Sequence, residues 1–154
     1  MGKLKHTKKE ENPPALLNEP MVAFGVSTTV FAGMSMQDIA HSQLSGEALL
    51  DMQKQTSLSP QALAGVVGVS KSKYYDLIKL DRLGSKHIDA LADFATLWRK
   101  GIEAFDGSKE MLNEWLAMRN ENLGQIKPIE LLSSRMGRRE LEMAFLRIEH
   151  STYG

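Results

Sequence analysis

The sequence predicts an all-α protein in which two small helical modules share a core and follow an N-terminal arm. Apolar residues recur at helical spacing from Met36 onward, and helix-start signals divide this stretch into short segments. Residues 22–31 are rich in β-branched and aromatic side chains but have no evident partner strand. With 154 residues, the chain is long enough to bury a core and has the size of one ordinary domain or two very small ones.

The predicted arm covers residues 1–35. Up to about residue 20 it combines lysines and glutamates with the Pro13-Pro14 step, a composition that cannot bury enough apolar surface to become ordered. Residues 22–31 form either a short strand or a packed irregular segment. We therefore expect an arm that is partly disordered, with lysines that are solvated or, alternatively, touch phosphate.

From Met36 onward, capping residues mark where helices begin and end. Serines stand where a hydroxyl can cap the first turn of a helix at Ser45, Ser59, Ser70, Ser85 and Ser108. Pro60 and Pro128 suit the first position of a helix, and Gly68 suits the residue after one. Gly137 precedes the last predicted helix. The boundaries between these helices suggest a first module over residues 36–87 and a second over residues 88–154.

One segment of the first module has the spacing of a helix-turn-helix. Ala64 is small where a second helix would cross closely, and Gly68 allows the positive φ of a tight turn. The remaining positions of the motif are apolar and would fill the shared core: Leu63, Val67, Val69, Tyr74 and Leu77. We therefore predict that residues 59–80 form a helix-turn-helix, in which the helix after Ser70 is the recognition helix.

The exposed side of this second helix would supply contacts to DNA. Lysines and serine hydroxyls suit phosphates and base edges, whereas Asp76 could accept from a cytosine amino group or repel the backbone. The predicted contacts are Ser70, Lys71, Ser72, Lys73, Tyr75, Asp76, Lys79 and Arg82. Because residues 71–86 carry five basic residues against two aspartates, this is the clearest basic cluster outside the arm. A scaffold of the same shape that no longer binds DNA is the alternative.

The last helix is apolar on two sides. Leu141, Ala144, Phe145 and Ile148 share one face at helical spacing, which would pack on the core. Met143, Leu146 and His150 lie about opposite. Since large exposed apolar patches are uncommon on monomers, we expect the second face to be covered by another part of the chain, a second subunit or a partner protein.

Composition limits the function and the compartment. Lys plus Arg and Asp plus Glu are equal at 19 each, so a surface for nucleic acid must come from local clustering of charge. The absence of cysteine excludes disulfides and thiolate zinc sites and favours a reducing, cytoplasmic location. The apolar stretch at residues 21–36 is too short and too polar to span a membrane, and acidic residues separate it from the lysines upstream.

The sequence shows no pattern typical of an enzyme. The histidines are scattered at His6, His41, His87 and His150, without the spacing of a metal site. No nucleophile elbow and no glycine-rich phosphate loop is present. We therefore expect a binding protein without metal or cofactor.

Several short motifs follow the helix-turn-helix in order, which are Phe105-Asp106-Gly107, Glu114-Trp115-Leu116, Asn122-Leu123-Gly124, Pro128-Ile129-Glu130-Leu131-Leu132, Gly137 and Leu146-Arg147-Ile148-Glu149. In the order of the helix-turn-helix and these motifs, from about Gly46 to its end, the chain resembles the antitoxins called Xre, MbcA or ParS. The match spans about two thirds of the chain, and Ser151 departs from it where family members commonly have glycine.

This resemblance implies a homodimer whose first module binds its own operator and whose second module inactivates a cognate toxin. In the family, the toxin is usually a RES-fold enzyme that degrades NAD, or a related ADP-ribosyltransferase. The toxin contacts carried over to this chain are Arg138, Arg139, Glu142, Leu146, Glu149, His150, Tyr153 and Gly154. A stand-alone dimeric repressor is the alternative function, and an interaction protein that does not bind DNA is a third.

Overall fold

The structure, a computed structural model, describes residues 44–153, and this part of the chain is helical without β-strands. Its α-helices are α1 (Glu47–Thr56), α2 (Pro60–Val67), α3 (Lys71–Ile78), α4 (Ser85–Ala104), α5 (Lys109–Ala117) and α6 (Arg135–Tyr153). Between α5 and α6 lie a first 3₁₀-helix (Glu121–Leu123) and a second (Pro128–Ser133). The all-α prediction is confirmed for these residues. The predictions for the arm at residues 1–35 lie outside them.

Three of the predicted caps are confirmed. The hydroxyls of Ser59, Ser70 and Ser108 accept hydrogen bonds from backbone N–H groups in the first turns of α2, α3 and α5, at 3.1, 3.2 and 3.2 Å. A serine in this place satisfies one of the N–H groups that a helix leaves without a partner at its start.

Other predicted boundaries are wrong by one or two residues. Gly84, whose φ of −68° and ψ of 154° are extended, takes the cap position of α4, and Ser85 is already helical. At α1, Gly46 is the cap residue, although the Ser45 hydroxyl still accepts from the Glu47 N–H at 3.3 Å. The last helix begins before Gly137, not after it, because the Ser134 hydroxyl accepts the Gly137 N–H at 2.9 Å.

The turn between α2 and α3 has the predicted geometry. Gly68 adopts a φ of +74°, a conformation that costs side-chain-bearing residues energy, and its position ends α2. The Val69 N–H then donates to the Ala64 carbonyl at 3.0 Å, and Ser70 begins α3. The predicted core positions Leu63, Ala64, Val67, Tyr74 and Leu77 are all buried, and Val69 is partly buried.

One hydrophobic core runs through the described residues. It includes Leu63 of α2, Phe94 of α4 and Leu141 of α6, so side chains on both sides of the predicted module boundary contribute to it. The second 3₁₀-helix connects the two parts, because it packs against α2 on one side and α6 on the other. No helix in the described part of the chain is long and apolar enough to cross a bilayer.

Candidate binding surfaces

The outward side of α3 brings most of the predicted DNA contacts together. We call this surface the α3 face and define it by Ser70, Lys71, Ser72, Tyr75, Asp76 and Lys79. All of these residues are exposed, as are Lys73 and Arg82 at its margins. Residues 71, 72, 75, 76 and 79 share one side of a helix because their spacing follows its period of 3.6 residues. The exposure predicted for these residues is therefore confirmed.

The inner side of α3 holds this surface in place. Tyr74 is fully buried, and its hydroxyl points at the Leu49 carbonyl of α1 at 3.4 Å. Burial raises the pKa of the Tyr74 phenol, since the ionised form would lose its hydration. Leu77 is also buried. With both inner residues packed, α3 presents its polar side as a fixed surface.

The basic side chains around the α3 face form no ion pairs with other described residues. These side chains are those of Lys71, Lys73, Lys79, Arg82 and Lys86. Cations without carboxylate partners are free to bind phosphate oxygens. This surface therefore carries a local positive charge although the whole chain has a formal net charge of zero.

The positive charge near this surface also affects the pKa of His87. Its pKa lies below the ordinary value, first because burial disfavours the charged imidazolium. Lys86 and, more weakly, Lys73 lower it further by repulsion, while the Val67 carbonyl partly opposes them. His87 therefore stays neutral to lower pH than a solvated histidine.

The last helix has the two faces that its sequence predicts. Leu141, Ala144 and Phe145 are buried, and Phe145 packs on Trp115 of α5 with ring centroids 5.6 Å apart. On the other side, the side chains of Met143 and Leu146 are 51 % and 39 % exposed. The structure adds a residue that the sequence analysis missed: Met136 is 78 % exposed and lies seven positions before Met143, on the same side. We call Met136, Met143 and Leu146 the α6 stripe.

The predicted toxin contacts fall into different environments. Arg139, Leu146 and His150 are exposed, and Glu149 is partly buried. Arg138 and Glu142, by contrast, take part in contacts within the chain that attach α6 to α4. The side chain of Tyr153 and the residue Gly154 lie outside the described part of the structure.

Arg138 and Glu142 connect α6 to its neighbours through charge. The Arg138 guanidinium donates to Asp93 of α4 at 3.0 Å and to the Leu132 carbonyl at 2.8 Å, and its side chain is only 14 % exposed. Glu142 forms an ion pair with Lys100 of α4. These two residues therefore have a structural role in the chain itself, which spacing along one helix could not reveal.

A groove of about 400 Å³ runs between α4 and α6 beside these ion pairs. We call it the α4–α6 groove, and its lining residues are Asp93, Thr96, Leu97, Lys100, Arg135, Arg138, Arg139 and Glu142. Most of these side chains are charged, so the groove is a polar surface rather than an apolar pocket for a drug-sized molecule. Within residues 44–153, no group of three or more histidines and carboxylates could hold a metal ion.

The geometry thus presents two exposed surfaces of different character, a polar and basic one on α3 and an apolar one on α6. Both are suited to macromolecular partners, one through phosphate and base contacts and the other through apolar burial. No protein-family model matches the chain, and neither does any curated protein.

Proposed function

We propose that this protein is an antitoxin that binds and neutralises a cognate toxin through α6 and represses its own operon through α2 and α3, acting as a helix-turn-helix. The observation that carries the proposal is the two-sided last helix: its inner face fills the core while the α6 stripe remains exposed. Large apolar side chains grouped on a surface are typical of sites where another protein binds.

The support for DNA binding comes from α2, its turn and α3. In a helix-turn-helix, the second helix enters the major groove with its N-terminal residues near base edges. Lys71 and Ser72 stand in the first turn of α3, and Tyr75 and Lys79 follow on the same side. The hydroxyl of Ser70 accepts the Lys73 N–H and can still donate its own proton to a phosphate.

The identity of the protein partner depends on the resemblance to the Xre, MbcA and ParS antitoxins. On this basis the toxin is a RES-fold enzyme that degrades NAD, or a related ADP-ribosyltransferase, and the antitoxin acts as a homodimer in the cytoplasm. The contacts on α6 are then Arg139, Leu146 and His150, extended by Met136 and Met143 of the α6 stripe. Arg138 and Glu142 hold α6 in place beside this surface through their ion pairs with α4.

Co-expression with the product of the neighbouring gene tests the neutralising role. We expect the wild-type chain to restore growth to cells that a toxic neighbour would arrest, and Met143→Glu to lose this protection because a charge on the α6 stripe cannot be buried without a partner. Met111→Glu is the matched control, since Met111 is similarly exposed, at 56 %, but belongs to a different helix, α5. A toxic neighbour that the wild-type chain neither binds nor neutralises would contradict the proposal.

The DNA-binding role is tested by the salt dependence of binding to the chain's own promoter region. We expect Lys71→Ala and Lys79→Ala each to weaken binding and to reduce the slope of log K against log salt by about one, as the loss of a phosphate contact does. Lys127→Ala, which removes an exposed lysine before the second 3₁₀-helix, serves as the control and should leave the slope unchanged.

The outcomes of these two experiments separate the alternatives. Promoter binding without neutralisation would identify a stand-alone repressor, whose second module serves dimerisation only. Neutralisation without any salt-dependent shift of promoter DNA would identify an interaction protein that does not bind DNA. Slopes that stay the same in both lysine variants would exclude those two residues as phosphate contacts.

A further inference from the structure

The charges that line the α4–α6 groove do not balance. Each of its acids already has a cationic partner, since Asp93 accepts from Arg138 at 3.0 Å and Glu142 pairs with Lys100. Arg135 and Arg139 also line the groove, and within residues 44–153 neither guanidinium group forms a hydrogen bond or an ion pair. The groove therefore keeps two unpaired guanidinium groups, one helical turn apart on the same side of α6.

Arg135 stands at the beginning of α6, where a helix normally prefers acidic residues. The aligned peptide dipoles and the free N–H groups make the beginning of a helix positive, so that aspartate and glutamate stabilise the first turn. The first turn of α6 contains no acidic residue and begins instead with Arg135. Local conflicts of this kind occur at functional sites. At this position a bound anion would relieve the repulsion between Arg135 and the positive end of the helix.

The groove continues directly into the α6 stripe. Arg139 lies three residues after Met136 and four before Met143, which places it among the exposed methionines on the outer side of the helix. Methionine and arginine are both enriched in protein–protein interfaces. A small free phosphate would bind the arginines but leave the α6 stripe exposed. A peptide segment could contact the arginines and cover the α6 stripe as well.

We propose that the α4–α6 groove binds an acidic segment of the partner protein, with Arg135 and Arg139 holding its carboxylates while the α6 stripe covers neighbouring apolar residues. This inference rests on the proposed role of α6 as a protein-binding surface and adds the chemistry of the partner segment. Guanidinium groups suit this role because their fixed donors match the two oxygens of a carboxylate. The bound carboxylates also offset the positive beginning of α6.

Titration of the full-length protein with synthetic peptides tests the inference without any toxin. The probes are a short peptide of alternating leucine and glutamate, the same peptide with glutamine in place of glutamate, and inorganic phosphate, all at about 0.15 M salt to screen distant charges. We expect saturable binding of the acidic peptide alone. The double variant Arg135→Gln and Arg139→Gln should bind it at least about tenfold more weakly, because two charge-assisted contacts are lost.

Arg147→Gln is the control for the single variants Arg135→Gln and Arg139→Gln, because like each of them it removes one positive charge, but from the other flank of the same helix, beside Glu140 and Ser151. Circular dichroism of each variant verifies that the helices remain folded. Equal weakening by Arg147→Gln would show general charge attraction and overturn the inference, as would equal binding of the glutamine peptide. Binding of phosphate but not of the acidic peptide would overturn it in favour of a small anion. Each of these outcomes would overturn only the inference about the acidic segment, because the proposed function is tested separately by co-expression.

Discussion

Gly46→Ala is expected to destabilise the protein by about 3 kcal/mol or more, because overpacking against backbone cannot be relieved by a side-chain rotation. A Cβ at this position would lie 2.1 Å from the Leu77 carbonyl oxygen and 2.3 Å from that of Ile78. The Gly46 N–H also donates to the Leu80 carbonyl at 2.8 Å, so that the start of α1 is attached directly to the end of α3. Urea unfolding followed by circular dichroism measures the change.

The same substitution should weaken promoter binding, since any shift of α1 displaces α3 and with it the α3 face. Gly84→Ala provides the control, because the nearest atom to its new Cβ is 4.0 Å away and its φ of −68° suits alanine. The control should cost at most about 1 kcal/mol, which is the preference for glycine over alanine at a helix cap. An unchanged midpoint for Gly46→Ala would contradict the close contact between α1 and α3.

Leu141→Ala is expected to lower the free energy of unfolding by about 2–5 kcal/mol, the range for removing a buried leucine and leaving a cavity. Leu141 is fully buried in the core beneath α6. Since α6 packs on both α4 and the second 3₁₀-helix, the loss should loosen the attachment of the helix as a whole. Chemical unfolding with the slope held in common between variants measures the effect.

Met143→Ala is the matched control on the same helix. Its side chain is 51 % exposed on the α6 stripe, so we expect the stability to change by no more than about 0.5 kcal/mol. A similar loss of stability in the two variants would mean that Met143 is also part of the core, and the α6 stripe would then no longer be an available surface. A difference of several kcal/mol supports the assignment of the two faces.

Several local features of the fold follow from the sequence because their causes are local. Ser59, Ser70 and Ser108 cap helices through N–H groups only three residues away. Gly68 ends α2 because it takes a positive φ easily. The division of α6 into a buried and an exposed side follows from the helical period alone.

The predicted starts of α4 and α6 are wrong because, in each case, more than one residue near the helix start is suited to the cap position. Gly84 and Ser85 are both acceptable at a helix cap, and the backbone angles of Gly84 decide between them. At α6, the hydroxyl of Ser134 begins the helix, and Gly137 falls inside its first turn. The sequence does contain a signal for this helix start, because Ser134 is a serine directly before a helical segment, as are the serines that cap α2, α3 and α5.

The sequence by itself determined the helical class, most of the caps, the turn at Gly68 and the two faces of α6, because each depends on residues within about one or two helical turns. Only the tertiary structure decided which charged residues of α6 form ion pairs within the chain. Arg138 and Glu142 meet Asp93 and Lys100, which are 45 and 42 residues away in the chain, and this leaves Arg135 and Arg139 without partners in the described residues. Periodicity reports the side of a helix on which a residue lies, but pairing across a core depends on which helices pack together.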